Sequence, residues 1–354
     1  MILVGCLVAI GYQIFALLAC LRFLSRRDPA PTRLPPVSIL KPIHGRDPEF
    51  DEAIGSHARL DYPDYELLLC GVSPDMKLPA RAQVVSGETE ARNGKVGRLI
   101  DLAAAARHEI LLVNDSDIRV EPDYLRNVVA PLEDPVVGVV TCLYRARATR
   151  LPAIAEAVGI ATDFAPSTLV APFVGVKEFG LGSTLVFRRA DLKAIGGFES
   201  IADFIADDYQ LAKRITRLGR RVHLSRMIVE TSLQGDRWSQ VWAHQLRWHR
   251  TIRVSRGAYV GLFVTQATAW ALLAAWTGQW TLAAATLGAR YAMALTAGLA
   301  VMRCPLTARY WWLIPFRDLF GTAVWIAGLA GDTVEWRDKK MRLSNDGRIR
   351  SEEG

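Results

Sequence analysis

The ten residues LLVNDSDIRV, Leu111–Val120, decide how the chain is to be read. Three apolar residues give way to four polar ones, among them the carboxylates Asp115 and Asp117. A short apolar run that stops at polar residues has the pattern of a buried strand. In extended backbone, residues two apart point to the same side. The spacing therefore predicts that Asp115 and Asp117 face one pocket while Ser116 turns away. Two such carboxylates repel and raise each other's pKa unless a cation lies between them. Their oxygens suit Mg2+ or Mn2+, above all where phosphates complete the shell. A D-x-D taken alone is more often a solvated turn, so its surroundings have to decide.

Upstream, PVSIL, YELLLC and AQVVS read as strands, while residues 49–60 and VGRLIDLAAAARH read as helices. Strands alternating with helices predict an α/β layer with a largely parallel sheet. Ligands of such sheets bind outside the carboxyl ends of the strands. KPIHG with Lys41, the Gly71–Asp75 loop and Asp115-Ser116-Asp117 all fall there. Three polar loops at one edge favour a site over three unrelated turns.

The flanks are apolar. Residues 1–24 hold one charged side chain, Arg22, and are long enough to span a bilayer. A basic amino-terminal region and a small-residue cleavage site are both missing, so an uncleaved anchor is expected. A second apolar block, Tyr259 to Val301, carries only Arg290 and breaks at Gly278-Gln279, which suits two helices joined by a tight turn. A third, Tyr310 to Ala330, is interrupted by Pro315, Arg317 and Asp318, and reads equally as a span or an interfacial helix. Arg22, Arg26 and Arg27 follow the first helix, and Arg247, Arg250, Arg253 and Arg256 precede the second block. By the positive-inside rule the region between is cytoplasmic, on a multi-pass protein of the cell's inner (plasma) membrane. The expected division is an anchor at 1–24, a Pro- and Arg-rich linker at 25–36 and a catalytic domain at 37–256. Membrane helices at 257–335 and a basic tail at 336–354 follow. A net charge of +7 suits anionic headgroups, and no nucleic-acid-binding motif accompanies it. The five cysteines are scattered, which excludes a zinc cluster and a disulfide framework.

Two further elements carry chemistry. Asp207-Asp208 opens a segment with helical spacing at Leu211, Ile215 and Leu218. Such a pair is either a favourable helix start or a general base for an acceptor hydroxyl. HQLRWHR, His244 to Arg250, sets cations beside Trp248. It reads as an interfacial helix, or as a site where Arg247 neutralises a departing diphosphate and Trp248 walls the acceptor.

VSILKPIHGRDP, LDYPDYELLLC, NGKVGRL, NDSDIRVEPDYL, IADDYQLAK and HQLRWHR, in that order, resemble an inverting GT-A glycosyltransferase, a Rossmann-like nucleotide-diphospho-sugar transferase. The closer resemblance is to the ceramide glucosyltransferase family, which includes bacterial hopanoid-associated enzymes. It implies a UDP-sugar donor, a lipid acceptor and a divalent metal. By position, Asp117 looks like the metal and diphosphate ligand with Asp115 beside it, and Asp208 like the base with Asp207 as its neighbour. Arg247 and Trp248 match the family's closing R-W; Lys41, Asp75 and Lys95 look like donor contacts; and GLGSTLVFRR resembles the acceptor-side segment. The chain departs from the family at His244, where Gln or Arg stands, and at GVSPD, where Asp75 is the only acid. It also lacks a histidine near ATDFAPSTLV. These departures leave ceramide carrying glucose, and a hopanoid polyol carrying N-acetylglucosamine, both open as products. A processive polysaccharide synthase and a non-catalytic membrane scaffold are the alternatives.

Overall fold

β1 (Val37–Pro42) and β2 (Tyr65–Cys70) are buried at every position in the computed structural model. The model describes residues 1–45, 47, 49–233, 235–255, 259–336 and 339–350. Arg256 of the basic run and the last four residues lie outside them. A strand buried on both faces needs apolar residues on both, which is why these segments are near-continuous rather than alternating. Ile39, Leu67 and Leu69 enter one core, and Leu40, Leu68 and Cys70 enter the other.

These strands lie in a seven-stranded sheet of order β3-β2-β1-β4-β6-β5-β7. Its other members are β3 (Ala82–Val85), β4 (Ile110–Val113), β5 (Val137–Arg147), β6 (Leu185–Arg188) and β7 (Arg221–Ser232). β1 pairs in parallel with β2 and β4, and β2 with β3. β6 then runs antiparallel to β4, with Val113 opposite Leu185. The entry to β6 thus shares an edge with the exits of β1, β2 and β4. The sheet belongs to one of two compact units, residues Arg27–Tyr144 and Val176–Ser232. The segment expected to be a linker is tied to this unit. Asp28 accepts from Ser225 Oγ at 2.7 Å, the Arg226 N–H at 2.7 Å and His223 Nε2 at 3.1 Å. The backbone N–H groups of Thr32 and Arg33 bond Glu133.

The other unit comprises Met1–Arg26, Arg145–Gly175 and Leu233–Arg350. Three of its helices are long and apolar enough to cross a membrane: Ile2–Ser25, Leu151–Val174 and Trp280–Val301. Tyr259–Thr265 and Ala267–Trp276 pass the same test together, bent by 57°. The turn at Gly278 is where expected, with φ +78°. Arg145–Gly175, inside the segment expected at 37–256, belongs to this unit and holds the helix Leu151–Val174. Within the expected basic tail, Lys339–Arg342 pairs antiparallel with Thr333–Trp336, and Leu343 bridges to Ile349. The helix Ile314–Gly328 has 15 residues, short of the roughly 20 needed for a span.

The charges that interrupt the apolar blocks largely answer one another. Arg290 grips Asp318 with two hydrogen bonds, 2.9 and 2.6 Å, and donates to the Thr162 carbonyl at 2.8 Å. Thr268 also donates to Asp318. A buried charge in an apolar bundle persists only with such partners. On the helix Trp238–Ser255, Arg250 and Arg253 donate to the carbonyls of Leu329, Ala330, Gly331 and Thr333, in the segment that follows the helix Ile314–Gly328.

Candidate active site

β4 ends at Val113, before the carboxylates. Asp115 to Ile118 form a turn instead of extended backbone, the Ile118 N–H donating to the Asp115 carbonyl at 3.3 Å. The premise of alternating sides therefore fails. The reason is Lys41, whose fully buried ammonium donates to the carbonyls of Asp115 at 2.9 Å and Ile118 at 3.3 Å, drawing the chain round. Ser116 is nonetheless the buried member, its hydroxyl donating to the Asp47 carboxylate. Asp115 and Asp117 stay half-buried, close enough for each charge to act on the other. Burial lowers the Lys41 ammonium to about 7, against the pull of Asp117 and Asp115. Lys41 thus supports the turn through these two carbonyls.

Lys95 joins the two acidic pairs. Its ammonium lies 2.8 Å from Asp115 Oδ1 and 2.9 Å from Asp207 Oδ2. Burial works against that charge, but Asp115, Asp207 and Asp208 more than offset it and hold the group well above its ordinary value. Asn93 places it: the Asn93 side chain caps the helix Gly94–Ala105 by accepting from the N–H groups of Lys95 and Val96. Its amide also donates to the Phe204 carbonyl at 2.8 Å, fixing this helix start to the segment before Asp207.

Asp207 and Asp208 begin the helix Asp207–Thr216. Asp208 Oδ2 accepts from the Gly182 N–H at 2.9 Å, and Oδ1 from the Tyr209 N–H at 2.7 Å. Burial, then the neighbouring Asp207, push its carboxyl up to about 6. Asp117 is likewise pushed up to about 6, by burial and then Asp115, although the Thr231 hydroxyl donates to it. Gly182 sits between: its carbonyl accepts from the Asp115 N–H at 3.1 Å, and a Cβ there would stand 2.7 Å from Asp115 Oδ2.

Among the described residues, the four carboxylates of Asp115, Asp117, Asp207 and Asp208 surround two ammoniums, Lys41 and Lys95. A surplus of negative charge of this kind repels a diphosphate and attracts a cation. Asp117 and Asp115 offer two carboxylates, a number that suits Mg2+ or Mn2+ when phosphates and water complete the shell. Among the described residues no third His, Cys, Asp or Glu joins them as a metal ligand.

The model of glycosyl transferase family 21 matches residues 1–349. The chain belongs to that family. It is a glycosyltransferase, and its sheet is the GT-A fold. It is 25% identical to ceramide glucosyltransferase 1 of Caenorhabditis elegans over 98% of this chain and 78% of that one. It is also 25% identical to ceramide glucosyltransferase 3 of the same organism, over 54% of this chain and 45% of that one. A mannosyltransferase from Pyrobaculum calidifontis, solved with GDP-Man and Mn2+, shares the fold with TM-score 0.54 and 21% identity, covering 93% of this chain and 99% of that one.

Of the sequence-predicted residues, this family 21 enzyme brings Lys41, Lys95, Asp115, Asp117, Asp207 and Asp208 together. Asp75 is exposed on the loop after β2. Arg247 and Trp248 belong to the other unit, on the helix Trp238–Ser255. There Trp248 packs on His244 at 4.6 Å and on Phe164 at 6.1 Å. His244, the departure from the family pattern, bonds buried Glu156 at 2.8 Å. Sequence reasoning missed Asn93, Gly182, Thr231 and Asp47. Only Asn93 carries a local signal, a cap residue directly before a helix.

Proposed function

We propose that this glycosyltransferase moves a hexose, glucose or N-acetylglucosamine, from a UDP-sugar to the hydroxyl of a membrane lipid, with inversion. The observation that carries the reading is Asp208: a half-buried carboxyl raised to about 6, held by two backbone N–H groups on the same edge as the Asp115–Asp117 turn. A carboxylate ionised at neutral pH yet basic enough to take a proton suits a general base. The acceptor O–H gives its proton to Asp208 as its oxygen bonds to the anomeric carbon. The bond from that carbon to the diphosphate breaks, and UDP leaves with the electron pair. One displacement turns an α-linked donor into a β-glycoside. Asp117, with Asp115 beside it, would hold a divalent cation, which when bound supplies positive charge to the donor diphosphate. Lys95 fixes Asp115 relative to Asp207, and Lys41 fixes the turn. Arg247 would give the leaving diphosphate a further positive charge, and Trp248 a flat wall for the acceptor. Asp75 remains a candidate donor contact.

The ceramide glucosyltransferase relatives and the apolar helices support a lipid acceptor of ceramide or hopanoid type. The arginines after the first helix support a catalytic unit on the cytoplasmic side of the plasma (inner) membrane. The test is a crossed assay of purified protein with Mn2+ or Mg2+. UDP-glucose and UDP-N-acetylglucosamine are each offered to ceramide, diacylglycerol and bacteriohopanetetrol. A β-linked glycolipid is expected, and Asp208→Asn loses about 100- to 10,000-fold in turnover. An α-linked product, a soluble polymer, or near-normal turnover by Asp208→Asn refutes the reading.

A further inference from the structure

Within the helical unit, the pairing of Arg290 with Asp318 leaves two other ionic groups unanswered. Arg317 is 9% exposed, its Nε is buried without a partner, and among the described residues its guanidinium makes no hydrogen bond or ion pair. It is nevertheless housed. A Cβ on Gly159 would lie 2.1 Å from Arg317 Nε, and a Cβ on Gly321 would lie 2.4 Å from one terminal nitrogen. Two glycines thus open the space that the guanidinium occupies, one on its own helix a turn away and one on Leu151–Gly159. A buried cation without a partner is costly, and such groups in apolar bundles mark ligand sites.

The opposite charge is one turn further along the same helix. Asp163 follows Gly159 by four residues, inside the π-helical turn Ile160–Phe164. Such turns are rare and frequently occur at functional sites. Asp163 is half-buried and, among the described residues, makes no hydrogen bond or ion pair. Its charge and that of Arg317 act on each other without touching, with Arg290 and Asp318 as the further charges in reach. The Arg317 charge also acts on His249, on the helix Trp238–Ser255. Phe164, next to Asp163, packs on Trp248.

We propose that Arg317 and Asp163 form a head-group clamp for the lipid acceptor, Arg317 donating to an oxygen of the head and Asp163 accepting from a hydroxyl. The clamp rests on the lipid-acceptor reading above and sharpens it. The clamp requires a lipid that exposes a hydroxyl at its head.

The test uses the full chain in phosphatidylcholine nanodiscs, with binding of labelled ceramide, bacteriohopanetetrol and diacylglycerol measured alongside turnover. Arg317→Gln and Asp163→Asn each weaken acceptor binding and raise the acceptor KM by about tenfold or more, the loss of one hydrogen bond to a charged group. The donor KM stays within about twofold. Gly159→Ala gives the same split, because the new methyl displaces a flexible guanidinium rather than backbone. It also keeps the question answerable if Arg317→Gln fails to fold. Unchanged acceptor binding in the variants, or donor and acceptor KM rising together, overturns the clamp. If wild-type protein binds ceramide in an Arg317-dependent way yet glycosylates no lipid, the clamp stands and the acceptor reading falls.

Discussion

Replacing Lys95 by Met removes the cation that ties Asp115 to Asp207 and moves the pH dependence of the reaction in a calculable direction. Asp208 must be ionised to accept a proton, so activity rises with pH through its pKa and levels off above it. In the wild type that limb falls at about 6, where burial and Asp207 push upward and Lys95 pulls downward. An opposite charge close by lowers a carboxyl by about one to three pH units, and losing it returns that amount. Taking the lower end, the limb moves from about 6 to about 7. At pH 6.5 the ionised fraction then falls from roughly three quarters to roughly one quarter, about a threefold loss that disappears by about pH 8.5. The assay is the pH profile of kcat/KM for the donor, which reports groups of the free enzyme. Lys95→Arg separates charge from shape: it can lower the rate, but it keeps the limb near 6. A Lys95→Met limb that stays at 6, or a Lys95→Arg limb that moves as far as the Met variant's, would show that Lys95 does not tune Asp208.

Asp117→Asn is expected to raise the Mn2+ concentration needed for UDP binding by about 10-fold or more, read by titration with labelled UDP, while Asp115→Asn acts mainly by freeing Lys95. Gly182→Ala drives a methyl against the Asp115 carboxylate and lowers turnover by about 100-fold, with far-ultraviolet circular dichroism unchanged. Asp28 sits below the usual carboxylate range because its bonds to His223, Arg226 and Ser225 outweigh burial. Its contribution is therefore present above the ordinary Asp pKa and lost as pH falls through the depressed one. Asp28→Ala should cost about 1–3 kcal/mol at pH 7 and progressively less in acid, measured by thermal unfolding.

The strands that build the site edge were legible because they are buried on both faces. β1, β2 and β4 have no polar alternation to confuse them with surface segments. The helix Leu151–Val174 was not legible as a membrane-type element, since Glu156, Thr162 and Asp163 interrupt its apolar run. Two of these are answered from elsewhere in the chain, Glu156 by His244 and the Thr162 carbonyl by Arg290. A sequence window cannot see such partners. The pairing of the tail was hidden for a related reason: Lys340, Arg342, Arg348 and Arg350 are exposed while the backbone of Lys339–Arg342 pairs with Thr333–Trp336. The acidic residues were found by their pattern, but the Lys95 bridge was not. Nothing near Lys95 in the sequence says that Asp115 and Asp207 meet on it.

That bridge also separates the duties of the two carboxylates in LLVNDSDIRV. The Asp115 charge is already answered by an ammonium at 2.8 Å, and the same ammonium holds Asp207. Asp117 has a hydroxyl donor in Thr231 and the field of buried Lys41, but no cation in contact among the described residues. Burial, then the Asp115 charge, raise the Asp117 carboxyl, and among the described residues it is the member of the pair with no cation in contact. A divalent ion gains most from the carboxylate that is least neutralised, and least from displacing a lysine already in place. On this electrostatic ground Asp117 would be the direct ligand of the proposed cation, while Asp115 shares Lys95 with Asp207.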